Sequence, residues 1–559
     1  MNTSSTWTGG AMAPDGNAAA MRPVVIVGAG PVGLCAAIDL AQQGVPVLLV
    51  TDNDTMPTGS RAVCYAKRSL EILDRLGVGD ACVQKGLAWE TGRVYLEDRQ
   101  VYAFHLQPEP DHERPAFVNL QQFYLERFLL ERAQALPNLE IRWGHRVIAL
   151  QNAESGVTLE IDAAAGPYRL DTAWLIACDG AHSTVRRLIG AQMRGSELRD
   201  RFLVADVVID TDFPAERRFW FDPPFHPGRS ALLHKQPDGV WRVELQLGLE
   251  ASPAEEMQPE KLIPLIRTMF GVQGQCELKW VGIYTIANRR LERFRHGRIL
   301  FAGDSAHQVS PFGARGFNAG VQDTDNLAWK LGLVLAGRAP QSLLDSYSEE
   351  RVEAADENLA SDRGTIEFIA PGSSASRAFR DAVLSLAPEY GFARRIVNSG
   401  RLSSPCRYGN ALDTPDTDNF FSSLAPGAPV DDAPVRATGA DSWFLRHTGS
   451  RFCGVYFTDG GMSKEIAANF RKLCADPIPV ALLIVVPSGG ARQAVPAGWT
   501  VLEDAQDLLR QRYDGSPGTF YLLRPDQYVA ARWRRFDLAQ VRAAVVRASG
   551  NPPVKGRTA

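Results

Sequence analysis

Val24-Val25-Ile26-Val27-Gly28-Ala29-Gly30-Pro31-Val32-Gly33 decides the fold of this chain. The first four residues read, by composition, as a short buried strand. A G-x-G-x-x-G turn follows at once, Leu34 to Gln43 has helical character, Gly44 ends it, and Val45 to Val50 is a second apolar strand. This is a complete βαβ unit. Gly28 permits the tight turn, Gly30 lets the backbone approach a pyrophosphate, and Gly33 lets helix and strand pack closely. The helix start supplies free N–H groups and a positive dipole end for phosphates. A bare G-x-G-x-x-G is a common structural turn, whereas one framed by strand, helix and strand points to a dinucleotide. At the tip of the second strand an acidic residue normally bonds the ribose. Here the strand ends in Thr51, followed by Asp52 and Asp54. A Thr hydroxyl can bond a sugar without charge, and Asp52 is the expected acidic partner. The plain alternative is that Asp52 and Asp54 only form the turn.

Outward from this unit, helices are expected at Ser69 to Leu76 and Leu120 to Ala133, with a mixed, charged stretch between them up to about Pro115. A strand at Trp174 to Ala177 runs into Cys178-Asp179-Gly180-Ala181-His182-Ser183. Alternating strands such as Phe202 to Ile209 and Trp241 to Leu247 suggest an inserted, sheet-rich block. Ile299 to Ala302 leads into Gly303-Asp304-Ser305-Ala306-His307, a Gly-rich turn, and long helices at Val321 to Ala336 and Leu343 to Leu359. Pro405 to Pro434 reads as a linker or surface wrap. A small α/β block follows, with strands at Phe452 to Phe457, Val480 to Val486, Thr519 to Leu523 and Tyr528 to Ala531. Its helices are expected at Lys464 to Cys474, Leu502 to Tyr513 and Leu538 to Ala548. Residues 1–20 lack the basic start and apolar core of a signal peptide and are expected to form a disordered leader, with Met21 as an alternative start.

The 60 Lys and Arg against 64 Asp and Glu leave a net charge of −4, which argues against a general nucleic-acid binder. No run of about 18 apolar residues occurs, so no membrane helix is expected. The 8 cysteines form no C-x-x-C pair, which speaks against a disulfide framework or zinc site and fits a reducing cytosol. The 9 histidines show no H-x-x-x-H face, and no metal is expected.

Gly28-to-Gly33, Asp179-Gly180 and Gly303-Asp304, standing in this order, make the chain resemble the single-component (class A) flavoprotein aromatic hydroxylases. These include the p-hydroxybenzoate, phenol and 3-(3-hydroxyphenyl)propionate hydroxylases. The resemblance runs from about Val24 to Arg351 and includes Pro311-Phe312-Gly313-Ala314-Arg315-Gly316-Phe317-Asn318. It implies an α/β fold: a Rossmann-like FAD-binding domain (21–200 and 286–400) interleaved with a substrate sheet (201–285), a linker (401–426) and a C-terminal domain (427–559). It implies that Gly28, Gly30, Pro31 and Gly33 hold the FAD pyrophosphate, and that Arg61 lies near the ribose and pyrophosphate. Gln122 contacts FAD, and Asp179 with Gly180 serves FAD and the nicotinamide cofactor. Asp304 bonds the ribityl chain, and Pro311, Gly316, Phe317 and Asn318 lie beside the isoalloxazine ring. Departures are Thr51, where the family usually has Glu, Ser305, and Arg315, which is expected to place a cation near the ring. Backbone N–H groups at the helix start after Gly316 can stabilise negative charge on the flavin. His307 reads as a structural hydrogen-bonder rather than a base.

The implied reaction is hydride transfer from NADH or NADPH to FAD, a flavin C4a-hydroperoxide formed with O2, and attack by a phenolate. Only one complete G-x-G-x-x-G exists, so the nicotinamide nucleotide must visit transiently. On the substrate side the sheet offers Trp220, His234, Arg242 and Tyr284, where an Arg or His could hold a carboxylate or polarise a phenol. Each is equally readable as core packing. The tail resembles the thioredoxin-like domain appended to many of these hydroxylases. Cys453 and Cys474 are too far apart in sequence for a dithiol motif, so the domain is expected to be redox-silent and to serve stability or homodimer contacts. Rival readings are an idle flavin-binding or sensor module, hinted at only by Thr51, and a flavin halogenase, whose W-x-W-x-I-P signature is absent.

Overall fold

The computed structural model describes residues 21–56, 62–106, 110–248, 251–397, 403–409, 411–489, 495 and 498–552. The expected leader at 1–20 and Arg61 lie outside them. Strand Arg22–Val27 lies at the centre of a parallel sheet. Val47–Val50 and Leu139–Arg142 lie on one side of it, Tyr168–Ala177 and Ile299–Phe301 on the other. Helices cover both faces of such a sheet, which is why its strands read as unbroken apolar runs. The Pro31–Gln42 helix makes the first crossover and packs against the Gly316–Leu335 helix.

A second sheet has eight strands. Its spine is Met193–Ile209 paired antiparallel with Cys276–Leu291. Beyond lie Val240–Gln246, Ser230–Lys235 and Arg217–Phe221. It also recruits Thr91–Leu96 and Arg99–His105, from the stretch whose charge pattern hid any regular element. The Pro259–Phe270 helix packs on one face. The other face turns toward the first sheet and the Leu343–Ile369 helix.

The tail forms a seven-stranded sheet centred on Cys453–Phe457 and Ala481–Pro487, flanked by helices Lys464–Cys474 and Leu538–Ala548. The helix expected from Leu502 is instead strand Thr500–Asp504 followed by helix Leu508–Tyr513. Val501 and Leu502 pair with Ile484 and Val485. The Asp504 carboxylate then accepts from the Leu509 and Arg510 amides at 3.3 and 2.8 Å, so the helix starts only beyond it. Two earlier helices are longer than their sequence suggests, starting at Gly316 and ending at Ile369. Among the described residues no helix is long and apolar enough to cross a membrane, and no group of three or more His, Cys, Asp or Glu could hold a metal.

The tail is bolted to the nucleotide domain by buried charge. Glu350 accepts from Lys330 Nζ at 2.7 Å and from both terminal nitrogens of Arg524 at 2.7 and 2.9 Å. Arg524 also grips Asp526, and Arg68 donates to the Asp526 carbonyl at 2.6 Å. Burial alone would raise the Glu350 carboxyl, but Arg524 and Lys330 hold it far below the usual range. Trp329 adds an edge-to-face contact with Phe452 at 5.8 Å. Breaking a buried pair by deleting one partner costs about 3–5 kcal/mol. Glu350→Ala strands two buried cations and should lower unfolding free energy by about that much, read from urea melts. A loss below about 1 kcal/mol, typical of exposed pairs, would contradict the buried geometry.

Candidate functional site

Strand Arg22–Val27 delivers the chain to a loop that glycine alone can form. Gly28 has φ +106°, and a Cβ there would fall 2.4 Å from the Cys178 carbonyl oxygen. A Cβ on Gly33 would fall 1.9 Å from the Gly28 carbonyl oxygen. At Gly30 a Cβ would meet nothing within 4 Å. Gly28 and Gly33 are therefore demanded by the protein's own packing, whereas Gly30 faces open space at a helix start. Pro31 occupies the first helical position, where its missing N–H is no loss. Open space, free amides and a positive dipole end fit a pyrophosphate.

Thr51 is buried at the end of the second strand, with its Oγ1 3.4 Å from the Asn53 amide, while Asp52 is exposed beyond it. Gln122 Oε1 accepts from the Ala62 amide at 2.9 Å, and its Nε2 donates to Glu126 at 2.7 Å. Gln122 thus pins the chain immediately after Arg61.

Two sequence-distant motif loops meet across the strand ends. The Asp179 carboxylate accepts from Ser183 Oγ at 2.6 Å and the Val185 amide at 2.9 Å, so it organises its own turn. Burial raises its carboxyl above the usual range. Gly180 has φ +75° beside open space. Arg186 donates to the Ser305 carbonyl at 2.9 Å and Gln308 to the Ala181 carbonyl at 2.8 Å, stitching this turn to the Gly303–Ser305 turn that carries Asp304. Beneath them lies Asp323, which the motif reading missed. It accepts from the Gly303 amide at 2.9 Å, from His307 at 2.6 Å and from Arg351 Nε at 2.7 Å. Burial opposes its charge, but His307 and Arg351 hold it below the usual range. His307 stacks on Phe294 and is fully engaged in this scaffold. The available signal was Gln322-Asp323-Thr324-Asp325, a polar run inside a helix that must be buried.

Pro311–Gly313 is a single tight turn, Ala314 takes φ +51°, and the long helix starts at Gly316. Asn318 accepts from the Ala66 amide and donates to the Cys64 carbonyl, both at 2.9 Å, standing in as a partner for strand Cys64–Ala66. Phe317 meets Tyr65 edge-on at 5.2 Å. The cation expected near the ring from Arg315 points elsewhere. Its guanidinium lies 2.8 Å from Ser361 Oγ and 3.7 Å from Asp362, on the Leu343–Ile369 helix. A buried guanidinium takes the carboxylate within reach.

Strand alternation sorts the second sheet. Ala231, Leu233, Trp241, Val243 and Trp220 face the Pro259–Phe270 helix. Trp220 stacks on Tyr95 at 5.2 Å there, so it lies on the face turned away from the cradle. His234, Arg242 and Glu244 occupy the opposite register. Arg242 is held by Asp206 through two 2.8 Å hydrogen bonds. Tyr284 pairs across from Phe202 and packs near Trp280 on this same face. His234 Nε2 lies 3.4 Å from Glu244 and its Nδ1 3.7 Å from the Cys64 sulfur. Burial, then the Arg217 charge, push its imidazole down to about 4, so it is neutral. On the same face Phe219, Phe221, Phe312, Phe368, Ile369 and Thr365 wall an apolar cavity. The Phe ring of the Pro311–Gly313 turn is thus one of its walls. Arg217, Phe219 and Phe312 were missed from sequence, because which face of a doubly covered sheet they occupy is not encoded locally.

Residues 21–362 match the family model described as FAD binding domain. The chain is 29% identical over 535 residues to the 6-methylpretetramide 4-monooxygenase of Streptomyces rimosus, covering 92% of this chain and 91% of that one. It is 28% identical to the 3-(3-hydroxy-phenyl)propionate/3-hydroxycinnamic acid hydroxylase of Escherichia coli, covering 91% of each. Its fold superposes on the flavin-dependent monooxygenase PieE, solved with FAD and substrate, with a TM-score of 0.79 at 23% identity, over 97% of this chain and 100% of that one.

The glycine geometry separates packing from ligand binding. Gly30→Ala should leave thermal unfolding of the FAD-free protein unchanged and weaken FAD binding at least tenfold, about 1.4 kcal/mol, by flavin fluorescence titration. Gly33→Ala should lower the unfolding temperature itself. Equal behaviour of the two variants would contradict the cradle.

Proposed function

The chain belongs to the FAD binding domain family, and from that premise we propose that it is an NAD(P)H-dependent flavoprotein monooxygenase that hydroxylates a phenolic ring, with a fused-ring phenol as its substrate class. The observation that carries this is the position of Phe312. Its turn leads into the open helix start at Gly316, and its ring walls the apolar cavity on the sheet. A cofactor ring at that helix start and an aromatic substrate in that cavity would be neighbours. The relation to an enzyme named for a 6-methylpretetramide, over nearly the full length, supports a polycyclic substrate.

Bound FAD would supply hydride acceptance from the nicotinamide and activation of O2. The protein's part follows from its residues. Gly28, Gly30, Pro31 and Gly33 present amides to the pyrophosphate. Asp304, half-buried at the strand ends, reaches toward sugar hydroxyls, and Asp52 lies exposed at the adenosine end. Gln122 orders the segment that carries Arg61. The amides at Gly316, Phe317 and Asn318 point the positive end of a long helix at the ring, which favours negative charge there. Asn318 does this indirectly, because its side chain is committed to strand Cys64–Ala66. The Phe walls exclude water from the reacting face. One cradle for one dinucleotide leaves the nicotinamide nucleotide as a transient visitor. The tail is proposed to be a thioredoxin-like, redox-silent support, consistent with burial raising the Cys453 thiol to about 12. Homodimer contacts and a cytoplasmic location complete the reading.

A panel of single-ring and fused-ring phenols should be offered to the purified yellow holoenzyme under 18O2. Fused-ring phenols should stimulate NAD(P)H consumption and yield a product heavier by one 18O atom. Stimulation by none of them would favour the idle flavin-binding module. Stimulation with hydrogen peroxide as the sole oxygen product would mean oxidase behaviour instead.

A further inference from the structure

Three arginines on or beside the cavity differ in one respect. Arg242 is matched to Asp206, and Arg315 faces Ser361 and Asp362. Arg217 has no such partner. It is 1% exposed, and Nη2 donates to the Phe312 carbonyl at 2.9 Å. Its Nε and Nη1 have no hydrogen-bond partner, and among the described residues it forms no ion pair. Buried N–H groups are almost always satisfied, and a buried guanidinium lacking acceptors for two of its donors is costly.

The surroundings define what would satisfy it. The guanidinium lies over the Phe219 ring at 4.7 Å and bonds the carbonyl of Phe312, so it spans two residues of the cavity wall. The groups facing it are the Cys64 thiol, His234 and Glu244. Cys64 is pushed up to about 11 by burial and stays protonated. His234 is neutral, and Glu244 is turned to His234. None of these supplies an acceptor to the free N–H groups. A water could fill one hydrogen bond but not the charge. An occupant with an aromatic body against the Phe walls and one ionised oxygen satisfies both.

Resting on the hydroxylase reading, we propose that Arg217 holds the ionised oxygen of the aromatic substrate, and so selects the phenolate over the neutral phenol. The ionised oxygen accepts from the free N–H groups, while the ring lies along Phe219 and Phe312. Ionisation is what makes a phenol electron-rich enough to attack an electrophilic oxygen. Arg217 therefore sets which protonation state is bound beside the cofactor.

Alizarin, a fused-ring phenol that changes colour on ionising, is the probe. At one pH unit below the free dye's midpoint, dye bound to the wild-type holoenzyme should be mostly anion, a shift of at least tenfold in the anion-to-neutral ratio. Arg217→Met should leave bound dye neutral while retaining FAD. Arg217→Lys should recover part of the shift. Arg217→Gln, neutral but still a donor, gives the same comparison if the Met variant does not fold. Dye that fails to bind, stays neutral on the wild type, or ionises equally on the neutral variants overturns the proposal. Loss of FAD from both neutral variants would place Arg217 in the cofactor site and equally overturn it. Arg217-dependent ionisation without oxygen insertion into any phenol would instead sink the hydroxylase reading while supporting the arginine's role.

Discussion

The Gly316–Leu335 helix must bury ionised side chains, and the rest of the structure is arranged around satisfying them. Asp323, Asp325 and Lys330 all lie in its buried stretch. An ionised group in a protein interior is tolerated only with partners in place. Each partner comes from a different part of the chain. Asp323 draws in His307, Arg351 and the Gly303 amide. Asp325 draws Arg68 and Arg75 from the Lys67–Leu76 helix. Lys330 draws Glu350, and through it Arg524 of the tail. The helix that begins at the cofactor loop is thereby locked to the Gly303 turn, to an early helix and to the C-terminal domain. Buried ion pairs contribute little net stability against apolar packing. Their use here is geometric: only one mutual placement of these four pieces satisfies every charge.

A flavin ring needs that placement. The amides after Gly316 act on the ring only if the helix axis is fixed, and an interior of paired charges fixes it better than interchangeable apolar contacts. Asn318 extends the same logic to the Cys64–Ala66 strand, replacing a strand partner with one amide side chain. His307, Asn318 and Arg315 look like candidate catalytic groups beside a cofactor. All three are engaged in scaffolding, and their polarity reflects burial rather than reaction.

Sequence legibility follows from how local each constraint is. The βαβ unit and its glycines were readable because a Cβ clash at Gly28 or Gly33 arises within one turn and its neighbouring strand. Strands of the second sheet were readable from composition, but their facing was not. Both faces are covered, so Trp220 and Arg217, on adjacent strands positions of opposite sense, carry no outward mark of which one meets the cavity. Arg315 shows the same limit: its motif neighbours predict a place near the ring, while Ser361 and Asp362, remote in sequence, take its charge. The Thr500–Asp504 strand was misread because its helix-like composition lost to pairing with Ala481–Pro487, again a long-range contact.

Arg217 and Asp323 illustrate two ends of one principle. Both are buried and ionised, and both touch the segment between Gly303 and Phe312. Asp323 has all its acceptor capacity met by protein donors, so nothing further is needed to hold it. Arg217 bonds one carbonyl of that segment and leaves two donors unmet. A protein that pairs Asp323, Asp325, Lys330, Glu350 and Arg524 so completely has the means to pair an arginine as well. Leaving one unpaired at the wall of an aromatic cavity marks where the protein's own interactions stop and a ligand's begin. The same segment therefore carries a rigid side, facing the helix charges, and a receptive side, facing the cavity.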